Sequence, residues 1–288
     1  METFNGGIME YRFIDKNGIR MIEVSPIADT GIAEAYCSTR HGGISTGTTA
    51  SMNVNIYKPF DIENGQENFR IFCNAIGSAP NKVITNRLIY GTNIARCVSS
   101  ADLIDIYDES ISVHADGLVT NDPDITLYLY AADCAIVQFV HNDPENKVIA
   151  CCHAGWKNSL CGVIENTVQE MCDKYNCDKD KIIAVILPSI AECCFEVGEE
   201  VVNQFAERGF TDFISRKYEK PHIDLFGVNT DILLKSGLNA TNIHRIELCT
   251  YCTPDKVHDF LFHSFRRGPL DGKSHLNGMN GMFMKLIK

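Results

Sequence analysis

Two side chains in this sequence have the chemistry for a reaction centre, Cys134 and His153. Each closes an apolar run, Cys134 in Ala132-Asp133-Cys134 and His153 in Cys152-His153-Ala154-Gly155-Trp156. A soft thiolate near an imidazole is half of a zinc or copper site, or a nucleophile with its base. A buried thiol and a hydrogen-bonded core histidine is the structural reading of the same pair, and spacing alone does not separate the three. Asp133 could orient a ligand from behind. Arg40 lies in Ser38-Thr39-Arg40-His41-Gly42-Gly43. Two glycines beside a cation either let backbone N–H groups approach an anion or form an ordinary surface turn. Gly155-Trp156-Lys157-Asn158-Ser159 opens a helix, where exposed N–H groups and Lys157 could hold a phosphate, or Asn158 or Ser159 could simply cap. Arg266-Arg267 could face an anionic ligand or an internal partner. Cys249-Thr250-Tyr251-Cys252 is a lone pair of cysteines. The adjacent Cys193-Cys194 does not match the spacing of a zinc ribbon, and the motif follows a strand and meets Pro254 instead of opening a helix, so it reads as structural.

These residues need elements to hold them. Residues 125–132 alternate Leu and Tyr as a strand, and 135–140 and 147–152 are near-continuous apolar runs joined by Asn142-Asp143-Pro144. If the last two pair, Cys134 and His153 face one pocket. Shorter strands are expected over 31–39, 93–99, 181–187, 243–249, 260–265 and 282–286, and Asn17-Gly18 signals a hairpin within the first 24 residues. Apolar residues at helical spacing place helices over 62–77, with Asp61 as cap, and over 159–175, 198–208 and 224–236. Strands and helices alternate without a repeat or a Pro/Gly/Ser-rich linker, which predicts a single mixed α/β domain over 1–288 with residues 1–30 peripheral.

The chain has 288 residues, 45 % apolar and 22 % charged, enough for a large core. A net charge of −11 argues against binding nucleic acid or an anionic membrane surface. No run reaches the roughly 20 apolar residues of a membrane helix, and no leader is visible at the N-terminus. Thirteen cysteines, an odd number with adjacent pairs, do not look like a disulfide framework and predict a reducing, cytoplasmic setting.

Taken in chain order, several segments resemble the laccase-domain family, also called multi-copper polyphenol oxidoreductase or YfiH/YlmD-like, whose members include FAMIN-like purine nucleoside phosphorylases. They are Ser38-Thr39-Arg40-His41-Gly42-Gly43, Asp116-Gly117-Leu118-Val119-Thr120, Ala132-Asp133-Cys134, His153-Ala154-Gly155-Trp156 and Leu187-Pro188-Ser189-Ile190. Cys193-Cys194-Phe195-Glu196-Val197, Cys249-Thr250-Tyr251-Cys252 and Ser264-Phe265-Arg266-Arg267 follow. The resemblance runs from about residue 30 onward. It implies a layered mixed-sheet α/β domain of the YfiH-like type with one zinc on two histidines and a cysteine. Cys134 and His153 would be two of those ligands, with Arg40 at the substrate site and Asp133 and Arg266 as further substrate-binding residues.

The third ligand departs from the family pattern. Tyr90, in Leu88-Ile89-Tyr90-Gly91-Thr92-Asn93-Ile94, stands where the first histidine is expected. Ile136, Lys157-Asn158 and Phe265 also differ from the family's usual residues. Tyr90 could ligate as phenolate, His41 or His114 could replace it, or the metal could be lost. The last case would leave Cys134 and His153 as a dyad in a fold similar to that of certain toxin cysteine deamidases. The expected function is a zinc purine nucleoside phosphorylase using adenosine or inosine and phosphate, with adenosine deamination at the same site. The alternatives are a metal-free Cys/His hydrolase or deamidase and a binding homologue without activity. Copper phenol oxidation would need a relay of several coppers and many more histidines at ligand spacing.

Overall fold

The computed structural model describes residues 10–57, 60–89, 95–108, 113–268 and 277–288. The hairpin signal is real. Asn17 and Gly18 both take positive φ, 53° and 80°, and join Tyr11–Lys16 to Ile19–Val24 in antiparallel register. That pair of left-handed residues is what a two-residue turn needs to match strand twist. The hairpin forms one border of a seven-stranded sheet, and Met21, Ile22 and Val24, with Ile27 after them, are fully buried.

The sheet runs in the order Tyr11–Lys16, Ile19–Val24, Ala33–Ser38, Asn280–Leu286, Thr126–Ala131, Val83–Arg87, Val113–His114. A six-stranded sheet runs Ile243–Arg245, Ile182–Ile186, Ala135–His141, Val148–Ala154, Gly117–Thr120, Ala95–Cys97. The two sheets pack face to face. Ile136, Val140 and Ile149 from one meet Leu127, Leu129, Met282 and Met284 from the other.

Helices cover both outer faces. Ile62–Ala75 lays Phe69 and Phe72 on Tyr128 and Phe283, with Phe72 and Phe283 stacked at 4.7 Å. Val163–Tyr175, Glu199–Glu207 and Leu225–Lys235 cover Val137, Phe139 and Ala150. The result is a layered α/β architecture in which the central strands are buried on both faces. That explains why 135–140 reads as one apolar run instead of alternating: successive side chains point to different faces, and neither face is wet.

Several boundaries differ from expectation for local reasons. The helix expected over 159–175 is two, Trp156–Cys161 and Val163–Tyr175, because Gly162 turns left-handed at φ 92°. Asp61 precedes its helix at φ 61° but does not cap it; its carboxylate accepts from Thr49, Asn53 and Asn64 side chains. Asp224 does cap, accepting from Gly227 N at 3.0 Å. The strand expected over 243–249 stops at Arg245, with Cys249 making one bridge to Ser189, and 260–265 yields only Asp259–Phe260. The strand expected over 93–99 is Ala95–Cys97, its first two residues lying outside the described ones. No helix among the described residues is long and apolar enough to cross a membrane.

Candidate functional site

Ala135–His141 and Val148–Ala154 pair antiparallel, with Ala135 opposite Ala154 and Ile136 opposite His153. Cys134 immediately precedes the first strand, so the open end of this hairpin carries both side chains. A Cβ built on Gly155 would stand 2.8 Å from His153 Cε1 and 3.1 Å from Cys134 Sγ. The thiol and the imidazole therefore border one small space that only glycine at 155 leaves open. Gly155 has φ −62°, so its need is for room, not for an unusual backbone.

His153 Nδ1 lies 3.2 Å from Asn158 Oδ1. An amide oxygen only accepts, so Nδ1 carries the hydrogen and Nε2 keeps the lone pair. Burial lowers the His153 pKa against the opposing pull of Asn158 and Asp116, whose backbone oxygen also accepts from His153 N at 2.8 Å. Burial, reinforced by Asp133, pushes the Cys134 thiol up to about 12. Burial thus favours the neutral form of both groups. A metal ion would reverse this for the thiol, because ligation favours the thiolate.

Asp133 sits at φ 86°, a left-handed conformation that Asp tolerates better than most residues. Its Oδ1 accepts from Thr250 Oγ1 at 2.7 Å, and Oδ2 accepts from Ser264 Oγ at 2.9 Å and Arg266 N at 2.7 Å. Its carbonyl accepts from Ile190 N at 2.9 Å. The structure thus places Asp133 as a clamp on three loops, its carboxylate taken up inside the protein. Arg266 is turned toward Glu196 O at 2.7 Å and the Phe195 ring at 5.7 Å.

Arg40 lines a cleft of about 450 Å³ with Tyr251, His258, Phe260, Ser264 and Arg267. It donates to Ala50 O at 2.6 Å and His258 O at 3.1 Å, while Arg267 donates to Thr250 O and Phe262 O. Burial lowers the Arg40 pKa, and repulsion from Arg267 lowers it further. Two guanidiniums that repel across one cleft make a setting suited to an anion. Ser264 lines this cleft and also donates to Asp133, so the anion-suited wall is tied to the residue that precedes Cys134.

Tyr90 lies outside the described residues. Ile89, just before it, donates N–H to Asp116 Oδ1 at 3.0 Å, and Asp116 in turn holds His153 N. Neither proposed substitute joins Cys134 and His153: His41 pairs with Asp255 at 2.9 Å and His114 is exposed in the border strand Val113–His114. The helix after Gly155 is not capped by either candidate side chain, since Gly155 itself is the N-cap and no side-chain cap bond forms. Asn158 holds His153, and Ser159 Oγ lies 2.7 Å from Asn229 Oδ1 and 3.0 Å from Ala154 O. Sequence reasoning missed Asn158 as the histidine's partner, Gly155 as the spacer and Arg267 as Arg40's neighbour. The first is only five residues from His153, but Arg40 and Arg267 meet through tertiary packing with no local signal.

The family model described as multi-copper polyphenol oxidoreductase laccase matches residues 34–287. A purine nucleoside phosphorylase of Bacteroides thetaiotaomicron is 27 % identical over 259 residues, covering 88 % of this chain and 94 % of that protein. Purine nucleoside phosphorylase LACC1 of Mus musculus is 28 % identical over 82 % of this chain and 53 % of its own length. Adenosine deaminase RL5, from an unknown prokaryotic organism, is 32 % identical over 59 % of this chain and 64 % of its own length. In fold, the chain is similar to the crystal structure of YlmD from Geobacillus stearothermophilus, with a TM-score of 0.82, 23 % identity and coverage of 96 % of this chain and 99 % of that one. A motif order spread over the whole chain, a layered architecture shared with a solved structure and a family match over residues 34–287 agree, and the chain belongs to the multi-copper polyphenol oxidoreductase laccase family.

Proposed function

We propose that this chain is a purine nucleoside phosphorylase that cleaves adenosine or inosine with phosphate, with adenosine deamination as a second reaction of the same site. The observation that carries the reading is the meeting of Cys134 and His153 at the space beside Gly155. The names of its relatives, phosphorylases and one deaminase, supply the substrate class.

The donor set fits zinc as far as it is described. A thiol and an imidazole with its lone pair on Nε2 are two borderline-soft ligands, Asn158 fixes the tautomer as ligating histidines require, and Gly155 leaves room. Cys134 and His153 would hold the ion, with Tyr90 at the third position. Zinc bound there supplies Lewis acidity to a substrate oxygen.

The chain's own residues account for the rest. Arg40 and Arg267 would bind phosphate in the cleft and offset its charge as it attacks the anomeric carbon. The glycosidic bond breaks with its electron pair going to the purine, and the sugar passes through an oxocarbenium-like state. Asp133 keeps the loops of Ser264 and Thr250 in place beside Cys134.

A metal-free thiol–imidazole nucleophile is less well supported. Burial drives the Cys134 thiol up and the His153 imidazole down, so moving the proton from sulfur to nitrogen is uphill. The free cysteines suit the reducing cytoplasm expected from the sequence.

Incubating the purified chain with inosine or adenosine, with and without phosphate, tests the proposal. Free purine that depends on phosphate supports phosphorolysis, and inosine formed from adenosine without phosphate supports deamination. Neither product, from protein shown to contain zinc, overturns it.

A further inference from the structure

The sequence left Cys249 and Cys252 as an isolated pair, but folding changes that. Cys193, Cys194, Cys249 and Cys252 come from two loops more than fifty residues apart, yet their four sulfurs all lie within 4.8 Å of one another. Cys193 Sγ and Cys252 Sγ are 3.7 Å apart. Four sulfurs at about 2.3 Å from one tetrahedral zinc stand about 3.8 Å from each other, whereas a disulfide needs about 2.05 Å. The spacing is too long for a bonded pair and is compatible with four ligands around a single ion.

The second loop is shaped for ligation. The N–H of Ala191 donates to Cys249 Sγ at 3.4 Å, and those of Tyr251 and Cys252 also point at this sulfur. Backbone N–H groups turned onto a cysteine sulfur offset thiolate charge. They come from both loops, so the two are already in register: Ser189 and Cys249 form a bridge, and Thr250 N donates to Ser189 O at 3.0 Å.

We propose that Cys193, Cys194, Cys249 and Cys252 form a structural zinc site, separate from Cys134 and His153. Four thiols bind one Zn²⁺ and release their four protons; no electron is transferred and no further reactant is needed. With all four positions taken by sulfur the site is closed, as structural zinc sites are, and leaves no place for substrate. Its position explains what it holds. Ile190 N and Thr250 Oγ1, each within a few residues of the cluster, are two of the groups that grip Asp133 next to Cys134. The zinc joins the two loops behind the reaction centre.

The test uses the Cys134→Ser chain, in which the other proposed metal site has lost its sulfur, purified under reducing conditions from zinc-supplemented cells without chelator. Roughly one zinc per chain is expected. Adding Cys193→Ser or Cys252→Ser should abolish it; both side chains are exposed, so serine leaves no apolar cavity, and circular dichroism confirms the fold. Absence of zinc in the Cys134→Ser chain, zinc retained in both added variants, stoichiometric iron instead, or a mass showing a disulfide without metal overturns the proposal. Should a serine variant fail to fold, cobalt exchange into the unsubstituted protein decides. Charge-transfer bands of a four-thiolate cobalt centre support the site, and their absence overturns it. Loss of phosphorolysis alone bears only on Cys134 and His153.

Discussion

Cys134 and the four-cysteine cluster put sulfur to work in opposite ways. Cys134 stands at the end of a strand fixed by pairing on both sides, next to a single histidine and a space kept clear by Gly155. The cluster is made wholly of loop residues, partly exposed, and uses only sulfur. Few donors on a rigid sheet leave room for substrate and hold geometry; many donors on loops close around an ion and create the rigidity that loops lack. Asp133 links the two regions, since it adjoins Cys134 and is gripped from the cluster's loops.

Breaking the reaction centre should have the largest effect. His153→Ala should lower phosphorolysis on the order of a thousandfold, read as free purine released. The division between the regions fails if Cys252→Ser in an otherwise unchanged, folded chain costs as much. Asp133→Asn strikes the link. Asparagine keeps the left-handed backbone but loses a charged acceptor for three donors, so the chain should lose about 2–3 kcal/mol in urea unfolding. Its KM for phosphate should stay put; a large rise would mean that Asp133 touches substrate.

Asn158→Ala sharpens the contrast further. Freed from its partner, His153 can turn, and zinc should bind about 10- to 100-fold more weakly at Cys134 and His153. Zinc in the cluster should be unaffected, which a competition titration with a chromogenic chelator resolves as two phases. Arg40→Ala should have the smallest effect. The KM for phosphate should rise about tenfold while adenosine deamination, which uses no phosphate, proceeds at its former rate.

The sequence made some of this legible and hid the rest for physical reasons. Cys134 and His153 stood out because each ends an apolar run, and antiparallel pairing of those runs needs only a short turn to bring both to one end. Asn17-Gly18 was readable because its two residues are what the turn demands. Gly162 could have been read as a break within the helix expected over 159–175, but the apolar spacing on either side masked it. The cluster was unreadable for a different reason. Cys193 and Cys194 are adjacent, not spaced like a ribbon, and they meet Cys249 and Cys252 only after the strands Ile182–Ile186 and Ile243–Arg245 align in parallel. Asp61 looked like a cap because of its place before the helix, but three side-chain donors compete for its carboxylate.

The strand Asn280–Leu286 lies between Ala33–Ser38 and Thr126–Ala131, inside the seven-stranded sheet and not at its border. On the ribosome this imposes a timetable. Synthesis proceeds at about 5–20 residues per second, so Ala33–Ser38 and Thr126–Ala131 wait for many seconds with unpaired edges facing the gap. Phe72 and Tyr128 likewise wait for Phe283, which stacks on both. The sheet closes only when residue 286 has left the exit tunnel. Until then the nascent chain is an open half-sheet, exposed to chaperones and to other strands.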